Sequence, residues 1–187
     1  MKKIKHIHFM GVGGSGISAV AIVSKRLGYY VTGCNLEKET DYLKNVKDVK
    51  VKVSIGHNQK HLDNCDLLVV SPSVLFVSAY HPEVLLAKKR RILMTWEEFL
   101  GRYLHRGKRV IAIAGTHGKS TTTALAGFVF EKSRMDPTVV MGAKLKEWKG
   151  NYRFGSGEFF ITEADEFFDN FLNYEPETVL LNNIEFD

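Results

Sequence analysis

Cysteine is scarce in this 187-residue chain, which has only Cys34 and Cys65, far apart in the sequence. They do not form a pair with the spacing of a redox or metal-binding motif, so a disulfide framework is excluded as the basis of the fold. The seven histidines also lack the spacing typical of zinc ligands. We therefore expect both cysteines to be small buried hydrophobic residues and expect no zinc site.

Long apolar runs are absent as well. None approaches the roughly 18–20 residues that a membrane-spanning helix needs. The chain passes from Met1-Lys2-Lys3 directly into a strand pattern, without the apolar core of a signal peptide. With 44% hydrophobic and 25% charged residues, the composition is that of a globular protein, and we expect a cytoplasmic one without a membrane partner.

Acidic residues are fewer than basic residues, which gives the chain a formal net charge of +5. The basic residues are nevertheless scattered, apart from Lys88-Lys89-Arg90-Arg91 at the end of a predicted helix. Such a cluster is typical of a solvated helix end, so a nucleic-acid partner is not expected. Small anions such as nucleotides suit the same charge.

Apolar runs typical of buried strands alternate with helical stretches along the chain. This order predicts an α/β fold with a Rossmann-like, doubly wound parallel sheet. The short polar segment 104–108 predicts a domain boundary, with a Rossmann-like domain over residues 1–105 and a P-loop-type α/β domain over residues 106–187. We expect the second domain to be incomplete, because no further strand or helix follows the last apolar run. The predicted strands are 7–10, 29–33, 51–53, 67–70, 109–114, 138–141, 158–162 and 178–181, and the predicted helices are 17–27, 82–89, 95–103 and 119–132.

A glycine turn, Gly11-Val12-Gly13-Gly14-Ser15-Gly16, joins the first strand to the first helix. Glycines let backbone N–H groups approach a pyrophosphate at the start of a helix, although a tight turn without a ligand has the same pattern. Asn35 follows Gly33-Cys34 at the end of the second predicted strand, where an acid often binds a ribose in dinucleotide folds. Its amide argues against a conventional NAD site, and Asn35 is either a ligand contact or a turn residue. The predicted contacts in the turn are Gly11, Gly13, Gly14, Ser15 and Gly16.

A phosphate-binding loop follows the strand 109–114. The first glycine of the strict P-loop pattern is replaced by Ile113, but Gly118-Lys119-Ser120 is intact and a helix follows. Backbone N–H groups of such a loop cradle phosphates, the lysine neutralises their oxygens and the hydroxyl ligates Mg²⁺. The predicted nucleotide contacts are Gly115, Thr116, His117, Gly118, Lys119, Ser120 and Thr121.

Acidic residues end the apolar strand 158–162. In phosphoryl-transfer folds, a strand of this kind delivers a carboxylate to the metal opposite the loop. We assign this role to Glu163, with Ser120 as the second metal ligand and Lys119 and Glu163 as the catalytic pair. Asp165 and Glu166 are either further ligands or solvated loop charges.

These motifs together resemble the Mur ligases of peptidoglycan synthesis, in the family's order and over the whole chain. The resemblance implies three domains, of which this chain matches the first, for a UDP sugar, and the start of the second, for ATP. It also implies ATP and Mg²⁺ as cofactors, and an acyl phosphate through which L-alanine is joined to UDP-N-acetylmuramate. The segments that carry it are Gly11–Gly16, Gly115–Ser120, Glu163–Glu166 and Asn183–Asp187.

The chain departs from the family pattern at a few positions. Ser71-Pro72-Ser73 matches a segment usually written Ser-Ser-Ala, and the resemblance implies that Ser71 and Ser73 line the UDP-sugar pocket. Asn35 stands where an aspartate is common, and Ser120 replaces a threonine. Phe167-Phe168 stands where smaller or hydroxylated residues are usual, and a histidine expected after Asp187 is absent.

Other functions remain open at this level. A recycling ligase that adds a murein tripeptide to the same sugar nucleotide would share these motifs. A non-catalytic nucleotide-sugar-binding module would fit an incomplete second domain, and a dinucleotide-dependent oxidoreductase would fit the glycine turn alone. In the ligase interpretation, the fragment is expected to bind nucleotides without full activity, and the sequence leaves its oligomeric state unknown.

Overall fold

A computed structural model describes residues 4–185, and for residues 167 and 168 it describes the backbone only. The chain packs as two compact units, Met1–Trp96 and Glu97–Asp187. The two units meet in the chain between Trp96 and Glu97, whereas the sequence predicts the domain boundary between residues 105 and 106. That boundary stays a prediction. The last two residues of the Asn183–Asp187 motif, Phe186 and Asp187, lie outside the described residues, as do the side chains of Phe167 and Phe168.

The first unit is built on a five-stranded sheet in the order β3-β2-β1-β4-β5, with every pairing parallel. This order is that of a Rossmann-like sheet, which confirms the predicted fold class. Its strands are β1 (His6–Met10), β2 (Tyr30–Asn35), β3 (Lys52–Ile55), β4 (Leu67–Val70) and β5 (Leu93–Thr95). Its helices are α1 (Ser15–Arg26), α2 (Leu43–Asp48), α3 (Pro72–Ser78) and α4 (Pro82–Arg90), with a 3-10 turn at Gln59–Leu62.

The core of the first unit forms around β1 and α1. Phe9 and Met10 of β1 are fully buried, and so is the run Ile17–Val23 of α1 apart from a trace of exposure at Ile17. The short elements α2, α3 and β5 were not predicted. Their apolar signal is weak: α2 buries only Leu43 and Val46, and α3 buries no residue.

The second unit holds another five-stranded sheet, in the order β10-β6-β9-β7-β8. All pairings are parallel except that of β8 with β7. All four residues of the edge strand β10 are exposed. The strands are β6 (Arg109–Ala114), β7 (Thr138–Leu145), β8 (Gly150–Arg153), β9 (Phe159–Glu163) and β10 (Thr178–Leu181). Helix α5 (Trp96–Phe99) begins at the last residue of the first unit and continues as a π-helical segment at Leu100–Leu104. The second unit also contains α6 (Lys119–Lys132) and a 3-10 segment at Phe167–Asn173.

The core of the second unit centres on Ile113, Val139 and Ile161 from three neighbouring strands, with Phe130 and Trp148 packed against them. The strand β8 was not predicted, since its sequence, Gly-Asn-Tyr-Arg, has little apolar character. Within residues 4–185, no helix has both the length and the hydropathy that crossing a bilayer requires.

Candidate functional site

The phosphate loop of the second unit lies between β6 and α6, as predicted. Gly115 has φ 137° and Gly118 has φ 81°, a region that side chains rarely tolerate. Gly118 directly precedes the first residue of α6, so the loop presents the unpaired N–H groups of a helix start. This is the backbone arrangement that binds phosphate oxygens.

Two asparagines that follow β10 hold the loop in shape. Asn183 Oδ1 accepts a hydrogen bond from the His117 N–H at 2.9 Å, and its Nδ2 donates to the His117 carbonyl at 3.2 Å. Asn182 Nδ2 donates to the same carbonyl at 3.2 Å, and Thr122 Oγ1 donates to Asn182 Oδ1. The family motif drew attention to Asn183 but did not predict this supporting role. The one sequence feature that could have indicated this role is the pair of adjacent asparagines directly after the last predicted strand.

Lys119 lies at the start of α6 and points back across the loop. Its Nζ donates to the Gly115 carbonyl at 2.7 Å and contacts Glu166 Oε2 at 3.0 Å. A backbone hydrogen bond and, to a smaller degree, Lys119 hold the pKa of Glu166 below its usual range. The structure therefore gives Glu166 an ion pair with Lys119, and the two roles predicted for Glu166, metal ligand or solvated loop charge, stay predictions.

Glu163 ends β9 and pairs in register with Ile113 of β6, so its carboxylate lies at the edge of the sheet from which the loop starts. Its Oε1 is buried and has no hydrogen-bond partner among residues 4–185. A Cβ on Gly142 would lie 3.2 Å from its Oε2, so glycine leaves room for this carboxylate. A buried carboxylate oxygen without a partner is costly, and a divalent cation would satisfy it. Ser120 lies in the first turn of α6, beside Lys119.

A cavity of about 710 Å³ opens beside the loop. Gly115, Thr116 and Glu166 form its polar part. Its apolar walls include Tyr174, Leu181 and Ile184. A volume of this order, mostly apolar with a few polar groups, is typical of small-molecule sites.

The glycine turn of the first unit is held by the end of β2. The N–H groups of Gly11 and Val12 both donate to the Cys34 carbonyl, at 2.8 and 3.1 Å. The Gly13 N–H donates to Asn35 Oδ1 at 3.1 Å, and Asn35 Nδ2 donates to the Glu37 carbonyl. Both ends of the buried Asn35 amide are therefore occupied. The structure therefore shows Asn35 as a residue that holds the turn, and its direct contact with a ligand stays a prediction.

Close approach explains two of the glycines in this turn. A Cβ on Gly13 would lie 2.8 Å from Asn35 Oδ1 and 2.9 Å from Thr40 Oγ1. A Cβ on Gly16 would lie 2.6 Å from the Trp96 ring, so Gly16 serves packing inside the first unit. Gly14 and Ser15 stand at the start of α1, where Gly14 is the N-cap residue and has no side chain to block the helix N–H groups.

Ser71 and Ser73 lie at the same edge of the sheet as the glycine turn. Ser71 directly follows β4, which pairs in register with β1, and its Oγ lies 2.8 Å from that of Ser73. The intervening Pro72 occupies the first position of α3, where a missing N–H costs no helical hydrogen bond. The proline that departs from the family pattern is therefore compatible with the placement of both serines.

The first unit also brings together four potential metal ligands that the sequence did not link. One ligand atom each from His8, Cys34, His61 and Glu83 lies within 4.8 Å of the other three. Desolvation, opposed by Glu83, lowers the pKa of His8, and desolvation together with Glu83 raises the pKa of the Cys34 thiol. The four residues come from four separate elements, so no short sequence spacing could reveal them.

Known proteins share both the sequence and the fold of this chain. The family description "Mur ligase family, catalytic domain" matches residues 6–108, more than half of the chain. The chain belongs to the Mur ligase family. The Rossmann-like sheet and the glycine turn of the first unit lie inside the matched segment, whereas the phosphate loop lies after it.

Relatives of this Mur ligase chain extend the similarity to the second unit. It is 42% identical over 185 residues to the UDP-N-acetylmuramate–L-alanine ligase of Persephonella marina and 42% identical over 185 residues to that of Bordetella avium. Each alignment covers 99% of this chain and 39% of the relative. The chain therefore spans about two fifths of the length of these relatives.

Solved structures of Mur ligases share its fold. The UDP-N-acetylmuramate:L-alanyl-gamma-D-glutamyl-meso-diaminopimelate ligase of Neisseria meningitides has a TM-score of 0.85 at 27% identity, covering 99% of this chain and 62% of that one. The UDP-N-acetylmuramate-alanine ligase MurC of Thermotoga maritima has a TM-score of 0.80 at 29% identity, covering 99% and 42%. Ligases for two different amines thus share this part of the fold.

Proposed function

We propose that this chain is the nucleotide-binding part of an ATP-dependent ligase that joins L-alanine to UDP-N-acetylmuramate. The observation that carries the proposal is the phosphate loop between β6 and α6, with Lys119 folded across it and the unpartnered Glu163 Oε1 at the same sheet edge. The Persephonella and Bordetella relatives, which match nearly the whole of this chain, both carry the name of such a ligase.

We assign ATP to the second unit. Backbone N–H groups between Gly115 and Thr121, apart from that of His117, which donates to Asn183, would hold its phosphates. The Lys119 ammonium would balance the charge that develops on the transferred phosphoryl group. Ser120 Oγ and Glu163 Oε1 are the atoms that would hold Mg²⁺. When bound, Mg²⁺ would neutralise phosphate oxygens and help to align the two reactants.

We assign the UDP sugar to the first unit. The N–H groups at the start of α1, beside Gly13 and Gly14, would bind the diphosphate. Asn35 supports this site indirectly, since it fixes the Gly13 N–H. Ser71 and Ser73 supply hydroxyls at the same edge of the sheet.

The proposed reaction activates a carboxylate. One oxygen of the muramyl carboxylate attacks the γ-phosphorus of ATP, the bond to the β–γ bridging oxygen breaks, and ADP leaves. The amine of L-alanine then attacks the acyl carbon, loses a proton and expels phosphate. Phosphorylation is needed because a carboxylate oxygen is a poor leaving group, whereas phosphate is a good one.

The relatives are longer than this chain, so we propose that turnover requires a longer polypeptide and that the 187-residue chain alone binds nucleotides. Because the reaction consumes ATP and a nucleotide sugar, we place it in the cytoplasm. The test uses the longest translation product that contains the chain. ADP release should require UDP-N-acetylmuramate and L-alanine together. An equal rate of ADP release with and without L-alanine would overturn the proposal.

A second candidate is the ligase that attaches a murein tripeptide to the same sugar nucleotide. The similarity to the Neisseria structure, whose name specifies a peptide amine, supports it. Both candidates share the ATP and UDP-sugar sites and differ only in the amine. Offering L-alanine and the tripeptide separately in the same assay distinguishes them.

A further inference from the structure

A buried cluster in the first unit is not used by the proposed ligation. His8 comes from β1, Cys34 from β2, His61 from the 3-10 turn at Gln59–Leu62, and Glu83 from α4. Glu83 and Cys34 are fully buried, and the side chain of His8 is 2% exposed. His61 is 18% exposed and forms the rim of the cluster. From this cluster we infer a binding site for a transition-metal dication of the zinc type, with His8 Nε2, Cys34 Sγ, His61 Nδ1 and Glu83 Oε1 as its ligands.

The distances from Glu83 to the other ligand atoms are close to those of tetrahedral coordination, and all four ligand atoms lie within 4.8 Å of one another. Metal–ligand bonds of about 2.0–2.3 Å place neighbouring ligand atoms about 3.3–3.6 Å apart. Glu83 Oε1 lies 3.3 Å from His8 Nε2 and 3.4 Å from His61 Nδ1. Its distance to Cys34 Sγ is 3.9 Å, slightly longer. A small movement of the Cys34 thiol towards Glu83 would let all four ligand atoms contact one ion.

Hydrogen bonds are missing where a cation would bind. His8 Nε2 and His61 Nδ1 are buried, and neither has a hydrogen-bond partner within residues 4–185. Both nitrogens nevertheless point at the same carboxylate oxygen. Each nitrogen would form an ion pair with this oxygen if its ring were protonated, and a metal ion between them would satisfy both neutral rings and the carboxylate together.

The outer atoms of the ligands, in contrast, have partners. His8 Nδ1 bonds Thr32 Oγ1 at 2.8 Å, which leaves Nε2 free for the ion. Glu83 Oε2 accepts from the Asn58 N–H at 2.9 Å. His57 Nδ1 lies 3.0 Å from Cys34 Sγ and would donate to a thiolate. Metal ligands in proteins are characteristically oriented by such outer hydrogen bonds.

Charge and ligand type select the metal class. A thiolate and a carboxylate carry two negative charges, which one dication neutralises inside a buried site. Imidazole and thiolate ligands favour zinc-type ions over Mg²⁺ or Ca²⁺, which prefer oxygen. Because the four ligands come from four elements, the ion would crosslink the first unit. Through the Cys34 carbonyl, which holds Gly11 and Val12, it would also fix the glycine turn.

Cobalt(II) is the probe for the test, because a thiolate ligand gives it a charge-transfer absorption and tetrahedral geometry gives strong d–d bands. The 187-residue chain, kept reduced and stripped of metal, should take up one Co²⁺ with both features, and Zn²⁺ should displace it. Cys34→Ser should remove the charge-transfer band, whereas Cys65→Ser, the matched control, should keep it. Co²⁺ bound by Ser120 and Glu163 gives no such band, since these ligands are oxygens.

A milder variant keeps the test valid even if Cys34→Ser fails to fold, which circular dichroism would show. Thr32→Val preserves side-chain shape and removes the hydrogen bonds of the Thr32 hydroxyl to His8 Nδ1 and to His6 Nε2, of which only His8 is a proposed ligand. It should weaken Zn²⁺ binding about 10- to 100-fold in competition with a chelating dye. The inference is overturned if the chain binds no Co²⁺ with a thiolate band, if Cys34→Ser retains that band, or if Thr32→Val leaves the Zn²⁺ affinity unchanged.

Discussion

Lys119 Nζ lies 3.0 Å from Glu166 Oε2, so the lysine of the phosphate loop is paired with a carboxylate of its own chain. Glu166 is 54% exposed, and exposed pairs of this kind are weak. In the proposed function, ATP displaces this carboxylate in order to contact Lys119. Glu166→Gln should therefore strengthen ATP binding by the 187-residue chain about 1.5- to 5-fold in calorimetric titration.

The control for this prediction is Glu158→Gln, which removes the same charge just before β9, at the strand end opposite to Glu163. It should leave ATP affinity unchanged. Weaker ATP binding by Glu166→Gln than by the unaltered chain would contradict the competition and would place Glu166 among the groups that support the nucleotide.

Lys119→Ala should remove the main positive charge from the phosphate loop. We expect a loss of Mg·ATP binding by the chain and of ligation by the longer protein. UDP-sugar binding should stay near normal, because Lys119 contacts Gly115 and Glu166, both in the second unit. Lys132→Ala, at the exposed end of α6, is the matched control. Retained ligation by Lys119→Ala would remove Lys119 from the mechanism.

Gly13→Val tests the other site. Its Cβ would collide with the Asn35 amide and with Thr40 Oγ1, both of which hold the turn. We expect UDP-N-acetylmuramate binding to be lost while Mg·ATP binding persists, the reverse of the Lys119→Ala result. Unchanged sugar-nucleotide binding in a folded Gly13→Val chain would move the diphosphate site away from this turn.

His105 gives the second unit a dependence on pH. Its ring is buried between Phe160 and Tyr174, and neither ring nitrogen has a hydrogen-bond partner in the described part of the chain. Desolvation lowers its pKa from 6.5 to about 4. Between these values the unfolded chain binds the extra proton, so stability falls as the pH drops from 6.5 towards 4. The total loss is on the order of 3 kcal/mol.

The measurement is urea unfolding at about pH 7 and about pH 4.5 for the unaltered chain and for His105→Phe, which keeps an aromatic ring in the same place. The variant should lose less stability on acidification. His117→Gln replaces an exposed histidine and should behave like the unaltered chain. Equal losses in the unaltered chain and His105→Phe would show that His105 titrates normally in the folded state.

The sequence predicted those parts of the fold that carry a strong local signal. The strands β4, β6 and β10 and the helix α6 begin and end at the predicted residues, because each is a bounded apolar run or follows a recognisable loop. The phosphate loop and the fold class followed from the same kind of pattern. The elements α2, α3, β5 and β8 were missed because they bury few apolar side chains.

Side-chain partnerships between distant elements could not be predicted. Nothing near Glu166 in the sequence indicates its pairing with Lys119, and nothing near Glu83 indicates two histidines and a thiol around it. Both depend on the register of parallel strands and on the crossover connections between them. For Asn35, spacing indicated a position near the turn, but only the hydrogen bonds to both ends of its amide show that it supports the turn.

The central claim is that the phosphate loop serves to activate a carboxylate. The most direct measurement follows an oxygen isotope label from the muramyl carboxylate of UDP-N-acetylmuramate during turnover by the longer protein with Mg·ATP and L-alanine. An acyl-phosphate route transfers one labelled oxygen to each inorganic phosphate released. Phosphate without the label would show that ATP is hydrolysed by water and would contradict the account.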